Sequence, residues 1–166
     1  MKRILLASML CFSTCIYSIL AQDSQPSEYL VLGDGLHMSV GSSIALTDNS
    51  LQTVTAKEET FESPFLGKGY VKRIYPDLEI VYKANTNKIY MITYVGKIFS
   101  TSKGIRVGDK VNILVAKYGK GKSAKTAEGY LSLSYLYYYG DEENVAIEFT
   151  IKDDRIRQIA IFRGYN

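Results

Sequence analysis

Reactive side chains are scarce in this sequence. It has two cysteines, one histidine and no tryptophan among 166 residues. Cys11 and Cys15 both lie in the apolar run from Ile4 to Ala21, behind Met1-Lys-Arg. A charged start followed by such a run reads as a secretory signal, with Ala21-Gln22 offering a small residue for cleavage. The mature chain then has no cysteine, which excludes a disulfide and a thiol nucleophile. A retained membrane anchor and a lipid on Cys15 are the competing readings. The second lacks a small residue before the cysteine, since Thr14 stands there. His37 sits beside a turn, with no cysteine to complete a metal set. Asp141-Glu-Glu143 lacks the alternating spacing of a calcium loop. No Gly-x-Ser-x-Gly, His-Glu-x-x-His or Cys/His arrangement occurs. The expectation is a non-enzyme with no catalytic residue, no metal and no cofactor.

Neither sign of charge dominates. Loss of Lys2 and Arg3 with the signal takes the formal charge from +3 to +1. That gives no global argument for nucleic acid as a partner. Gly119-Lys-Gly-Lys-Ser-Ala-Lys125 contains Gly-Lys-Ser. A phosphate loop needs glycine where Ala116 stands and must lead from a strand into a helix. This segment follows a helix, so nucleotide binding is rejected and a basic surface loop is expected.

What is present is pattern. Residues 1–21 read as the signal and 22–28, with Pro26, as a polar tether. About 145 mature residues suit one domain with a real core. Asp109 is placed to cap a short helix, and Gly119 to end it. Val107, Val111, Leu114, Val115 and Tyr118 form its apolar stripe. Ile105-Arg-Val-Gly-Asp-Lys-Val111 is echoed by Met38-Ser-Val-Gly-Ser-Ser-Ile44, which predicts a weaker helix over about Ser42 to Ser50. Strands are predicted at 69–75, 78–83 and 88–95, then at 130–139, 145–152 and 155–163. The halves close on Tyr94-Val-Gly96 and Phe162-Arg-Gly164. The expected fold class is α+β: two tandem repeats, 29–96 and 97–166, each a short helical segment followed by antiparallel strands. Together they form one sheet with helices on one face.

Alternation assigns the faces. Val145, Ile147, Phe149 and Ile151 point to the helices, so Glu148 points away. Leu78, Ile80 and Tyr82 likewise turn Glu79 outward. Ile159 and Ile161 face inward, which turns Phe162 out, and the repeat equates Tyr90, Ile92 and Tyr94 with outward positions. Leu131, Leu133 and Tyr135 facing inward would send Tyr138 out. Tyr94, Tyr138, Phe162, Glu79 and Glu148 are therefore the candidate partner-binding residues, on an aromatic face with small polar neighbours.

The helix motif Thr101-Ser-Lys-Gly-Ile-Arg-Val-Gly-Asp-Lys-Val111 with Tyr118-Gly119, doubled at Met38 to Ile44, resembles that of a group of bacterial secreted proteins. The group looks like the β-lactamase inhibitory protein fold, and a similar single unit occurs in outer-membrane assembly lipoproteins. The resemblance covers about residues 35 to 164 and rests on caps and glycines. It implies a concave sheet that grips another protein, and it transfers no contact residue. The expected function is an extracytoplasmic protein-binding module, periplasmic, envelope-bound or secreted, with an unknown protein partner. The alternative is a cell-envelope structural or assembly factor, lipid-anchored if Cys15 is acylated. A hydrolase built on convergent carboxylates is a third class. Membrane contact is expected only if the signal segment is retained or lipidated.

Overall fold

A computed structural model describes residues 30–32, 37–45, 51, 55–63, 66–139 and 143–163. The expected signal and tether, and residues 46–50 of the expected first helix, lie outside them. The strands are β1 (Leu30–Leu32), β2 (His37–Met38), β3 (Lys57–Ser63), β4 (Gly67–Ile74), β5 (Leu78–Lys83), β6 (Lys88–Tyr94) and β7 (Phe99–Thr101). Helix α1 (Val111–Tyr118) follows, then β8 (Lys122–Lys125), β9 (Leu131–Tyr139), β10 (Glu143–Lys152) and β11 (Arg155–Arg163).

The expectation of two helix-plus-strand repeats is corrected. Of the described residues, 56% lie in strands and 9% are helical, and α1 is the one named helix among them. Eight strands form a single antiparallel sheet in the order β3-β4-β5-β6-β11-β10-β9-β8. A second, three-stranded sheet has the order β2-β1-β7. The physical reason lies in the stripe. Thr47 and Asp48 stand where α1 carries Leu114 and Val115, which gives the first segment a weaker apolar stripe; Ile44 and Ala45 have helical backbone, and residues 46–50 lie outside the described residues.

One face of the large sheet carries the core. Ile80, Ile89, Ile92 and Tyr94 from its first half and Ile147, Phe149, Ile156, Ile159 and Ile161 from its second are buried together. Leu114 of α1, Phe99 of β7 and Met38 of β2 close over them. Tyr118 reaches down from α1 to the rings of Tyr135 and Phe149, each 5.2 Å away between centroids. Val115 departs from expectation: it is 41% exposed, because a helix this short buries only the line through Leu114.

The two Val-Gly segments dock alike on two hairpins. Gly41 N–H donates to Ile89 O at 2.7 Å, and Gly108 N–H to Ile156 O at 2.8 Å. Ile89 N–H returns a bond to Ser42 O, and Ile156 N–H to Asp109 O, at 2.9 and 3.0 Å. Both glycines hold positive φ, +88° and +96°, where a side chain would be strained. Asn87 and Asp154 at the hairpin turns also hold positive φ. The Thr101-x-x-Gly-Ile105 part of the motif is a closed turn. Gly104 N–H donates to Thr101 O at 2.8 Å, and Ile105 N–H to the buried Thr101 Oγ1 at 3.1 Å.

Candidate functional site

On the face of the large sheet opposite the core, β5, β6, β11 and β10 form the floor of a groove. Its volume is about 440 Å³. Met91 and Thr93 come from β6, Gln158, Ala160 and Phe162 from β11, and Glu148 from β10. Glu79 stands on β5, and the turn from Tyr75 to Leu78 makes one wall. That turn is held tightly against the next. Val95 N–H donates to Asp77 O at 3.0 Å, and a Cβ on Gly96 would lie 2.7 Å from Asp77 Cβ, so only glycine fits there. A smaller apolar cleft of about 130 Å³ lies behind the same turn, lined by Leu51, Ile98 and Phe99. Val95 and Ile98 are exposed at this end of the sheet.

Three of the five expected residues meet in this groove: Glu79, Glu148 and Phe162. Phe162 pairs across the ladders with Met91 on one side and Ala146 on the other. Glu148 lies opposite Ala160 on β11 and Ser134 on β9.

Tyr94 is a correction. It is 1% exposed, packs edge-on to Phe99 at 5.7 Å and belongs to the core, so at most its margin touches the groove. The cause is a bulge. Val81 pairs with Met91 and Tyr82 with Ile89, which leaves Tyr90 as an extra residue in β6. One inserted residue reverses the alternation beyond it. Met91 and Thr93 therefore take the outward positions, while Ile92 and Tyr94 turn into the core. The alignment of halves carried the same slip. The Val-Gly segments and their hairpins match at an offset of 67 residues, which sets Tyr94 beside Ile161, not Phe162.

Tyr138 occupies the register position opposite Asn144, and its side chain lies outside the described residues. Of the three inward positions on which its assignment rested, Leu133 and Tyr135 are buried and Leu131, at the start of β9, is 41% exposed.

Sequence reasoning missed Met91, Thr93 and the wall at Tyr75 to Asp77. It also missed a ring cluster farther along the face. Tyr70 and Tyr90 meet edge to face at 5.4 Å, and the Tyr90 hydroxyl donates to Arg163 O at 3.3 Å. The available signal was the hairpin 83–88, whose turn could have been used to count β6 back from its paired partner.

The charged lining of the groove is all acidic: Asp77, Glu79 and Glu148. Just outside it, Lys72 Nζ stands 3.7 Å from Glu79 Oε2. Farther out, the Lys57 ammonium hydrogen-bonds Glu59 at 2.6 Å and holds that carboxyl below its ordinary range. Among the described residues no group of three or more His, Cys, Asp or Glu is placed to hold a metal ion. No helix among them is long and apolar enough to cross a membrane.

Comparisons of the chain with family models, with curated proteins and with solved structures find no match.

Proposed function

We propose that this protein is a non-enzymatic, extracytoplasmic binding module that recognises another protein through the open face of its eight-stranded sheet. One observation carries the reading: the face opposite the core forms a groove floored by Met91, Ala160 and Phe162 and edged by carboxylates. A solvated sheet face needs no such apolar floor, whereas contact surfaces pair a desolvated aromatic centre with a polar rim. The resemblance to the β-lactamase inhibitory protein fold supports the same use of a sheet, with a different and unknown target. Placement outside the cytoplasm rests on Met1-Lys-Arg and the run from Ile4 to Ala21.

The test is affinity capture from an extract of the native cell envelope, using the domain that begins at Gln22. A specific protein retained by this domain and lost with Phe162→Ala supports the reading. Equal retention by a well-folded Phe162→Ala variant would rule out the groove as the contact surface. Intact mass of the exported protein checks the compartment: a chain starting at Gln22 is expected, and an acylated Cys15 would turn the reading to a lipid-anchored envelope factor.

A further inference from the structure

We infer that the groove selects a cationic protein segment: an arginine or lysine seated among Glu79, Glu148 and Asp77, with apolar neighbours on the floor of Met91, Ala160 and Phe162 and at Val95. The inference rests on the function proposed above and names the chemistry of its partner.

Three observations lead there. The chain has more basic than acidic residues, 20 against 17, yet the groove's charged lining is acidic throughout. Among the described residues, neither Asp77 nor Glu148 has a cation within ion-pair distance. Glu148 is half-buried at the floor of the groove and carries no ion pair among the described residues. An unpaired carboxylate in a contact groove favours a partner of opposite charge. Lys72, finally, shows the chemistry within the chain: its ammonium already stands 3.7 Å from Glu79 at the groove's edge.

The shape narrows the class of cation. The carboxylates do not converge closely enough to hold a metal ion. The groove is open and runs to Val95, which is 49% exposed. An extended segment alternating cationic and apolar side chains satisfies both features; a free small cation leaves the apolar floor bare. Guanidinium suits such a site better than ammonium, because its planar fork binds a carboxylate bidentately and its stem and plane pack on aromatic rings.

The probes are three short capped peptides in which leucine and phenylalanine alternate with arginine, with glutamine or with glutamate. Each is titrated into the isotope-labelled domain from Gln22, and backbone amide shifts are followed. The arginine peptide is expected to shift Glu79, Thr93, Glu148, Ala160 and Phe162 and to bind about tenfold more tightly than the glutamine peptide. Raising sodium chloride from about 50 to about 300 mM narrows that gap. Glu148→Gln narrows it too, and Asp77→Asn, at an exposed position, does the same with little risk to folding. Equal binding of the arginine and glutamine peptides in the groove would overturn the charge rule while leaving the face as a contact surface. Shifts confined to Lys120–Lys125, or no shifts with any peptide, would overturn it as well. Loss of the face itself is read separately, from undiminished partner capture by Phe162→Ala.

Discussion

Tyr94 and Phe162 look interchangeable in the sequence and are opposites in the fold. Tyr94 is in the core, so Tyr94→Ala is expected to cost about 3–5 kcal/mol in denaturant unfolding. Phe162→Ala removes a half-buried ring from the groove and should cost about 1 kcal/mol or less. Similar costs for both would mean that the bulge at Tyr90 has been misplaced. Two other tyrosines give a pH prediction. Burial raises Tyr82 and Tyr135 above the ordinary tyrosine value of 10.0; Arg73 opposes the shift at Tyr82, and a backbone hydrogen bond from Gly121 opposes it at Tyr135. In the unfolded chain both lose their protons first. The folded state thus holds more protons above the unfolded value, and stability falls as pH rises. The urea midpoint should stay level below the ordinary tyrosine value of 10.0 and fall as pH rises past it. Tyr135→Phe should flatten that drop. At neutral pH it should cost about 1 kcal/mol, for the lost bond from the Tyr135 hydroxyl to Gly119 O. An unchanged alkaline slope in Tyr135→Phe would remove this residue from the account.

Elements with an apolar period were legible, and those built on charge were not. β5 and β11 fall at their expected limits, and β6, β9 and β10 within two residues of theirs. β3 and β8 went unread, and they are the two edges of the large sheet. Lys57-Glu-Glu-Thr-Phe-Glu-Ser63 and Lys122-Ser-Ala-Lys125 carry charges where a central strand carries valine or isoleucine. Charge is what guards an edge against pairing with another chain, so it also hides the strand from an apolar count. A cross-strand ion pair, Glu58 to Arg73, helps to fix β3 in register. Helix α1 was legible in place but not in detail. Its cap is Lys110, in extended backbone and without a side-chain bond, while the Asp109 carboxylate accepts from Arg106 N–H at 2.9 Å. Leu114 alone of its residues is fully buried. Leu114→Ala should therefore cost about 2–5 kcal/mol, and Val115→Ala about 0.5 kcal/mol or less. Gly108→Ala tests the docking segment before α1. A Cβ there meets only Lys97 Cε at 3.5 Å, so the expected loss of about 1–3 kcal/mol comes from the backbone at φ +96°. A neutral result would show that the segment relaxes, and would weaken its role in holding α1 over the core.

At the scale of the molecule, the groove exists because two four-stranded meanders join edge to edge. Their seam is short: β6 and β11 pair from Tyr94–Ile159 to Met91–Phe162. Glu79, Met91 and Thr93 come from one side of it, and Glu148, Ala160 and Phe162 from the other. No strand read alone reveals such a site, and the sequence contains no local motif for it. Parity along each strand placed Glu79, Glu148 and Phe162 correctly; which strands lie side by side was the missing fact. Stability and binding should accordingly separate by position. Ala160 sits mid-seam, opposite Thr93 and Glu148. Ala160→Pro cannot donate to the ladder from a central strand, and should cost about 3 kcal/mol or more. Binding should vanish with the fold. Phe162→Ala leaves the ladder intact and should cost about 2 kcal/mol or more of partner affinity while the unfolding midpoint moves little. The two variants are compared by binding the captured partner at equal folded fractions. If Ala160→Pro folds and still binds, the seam does not build the site. If Phe162→Ala binds as tightly as the parent, the partner sits elsewhere, and the exposed lysines from Lys120 to Lys125 become the next surface to alter.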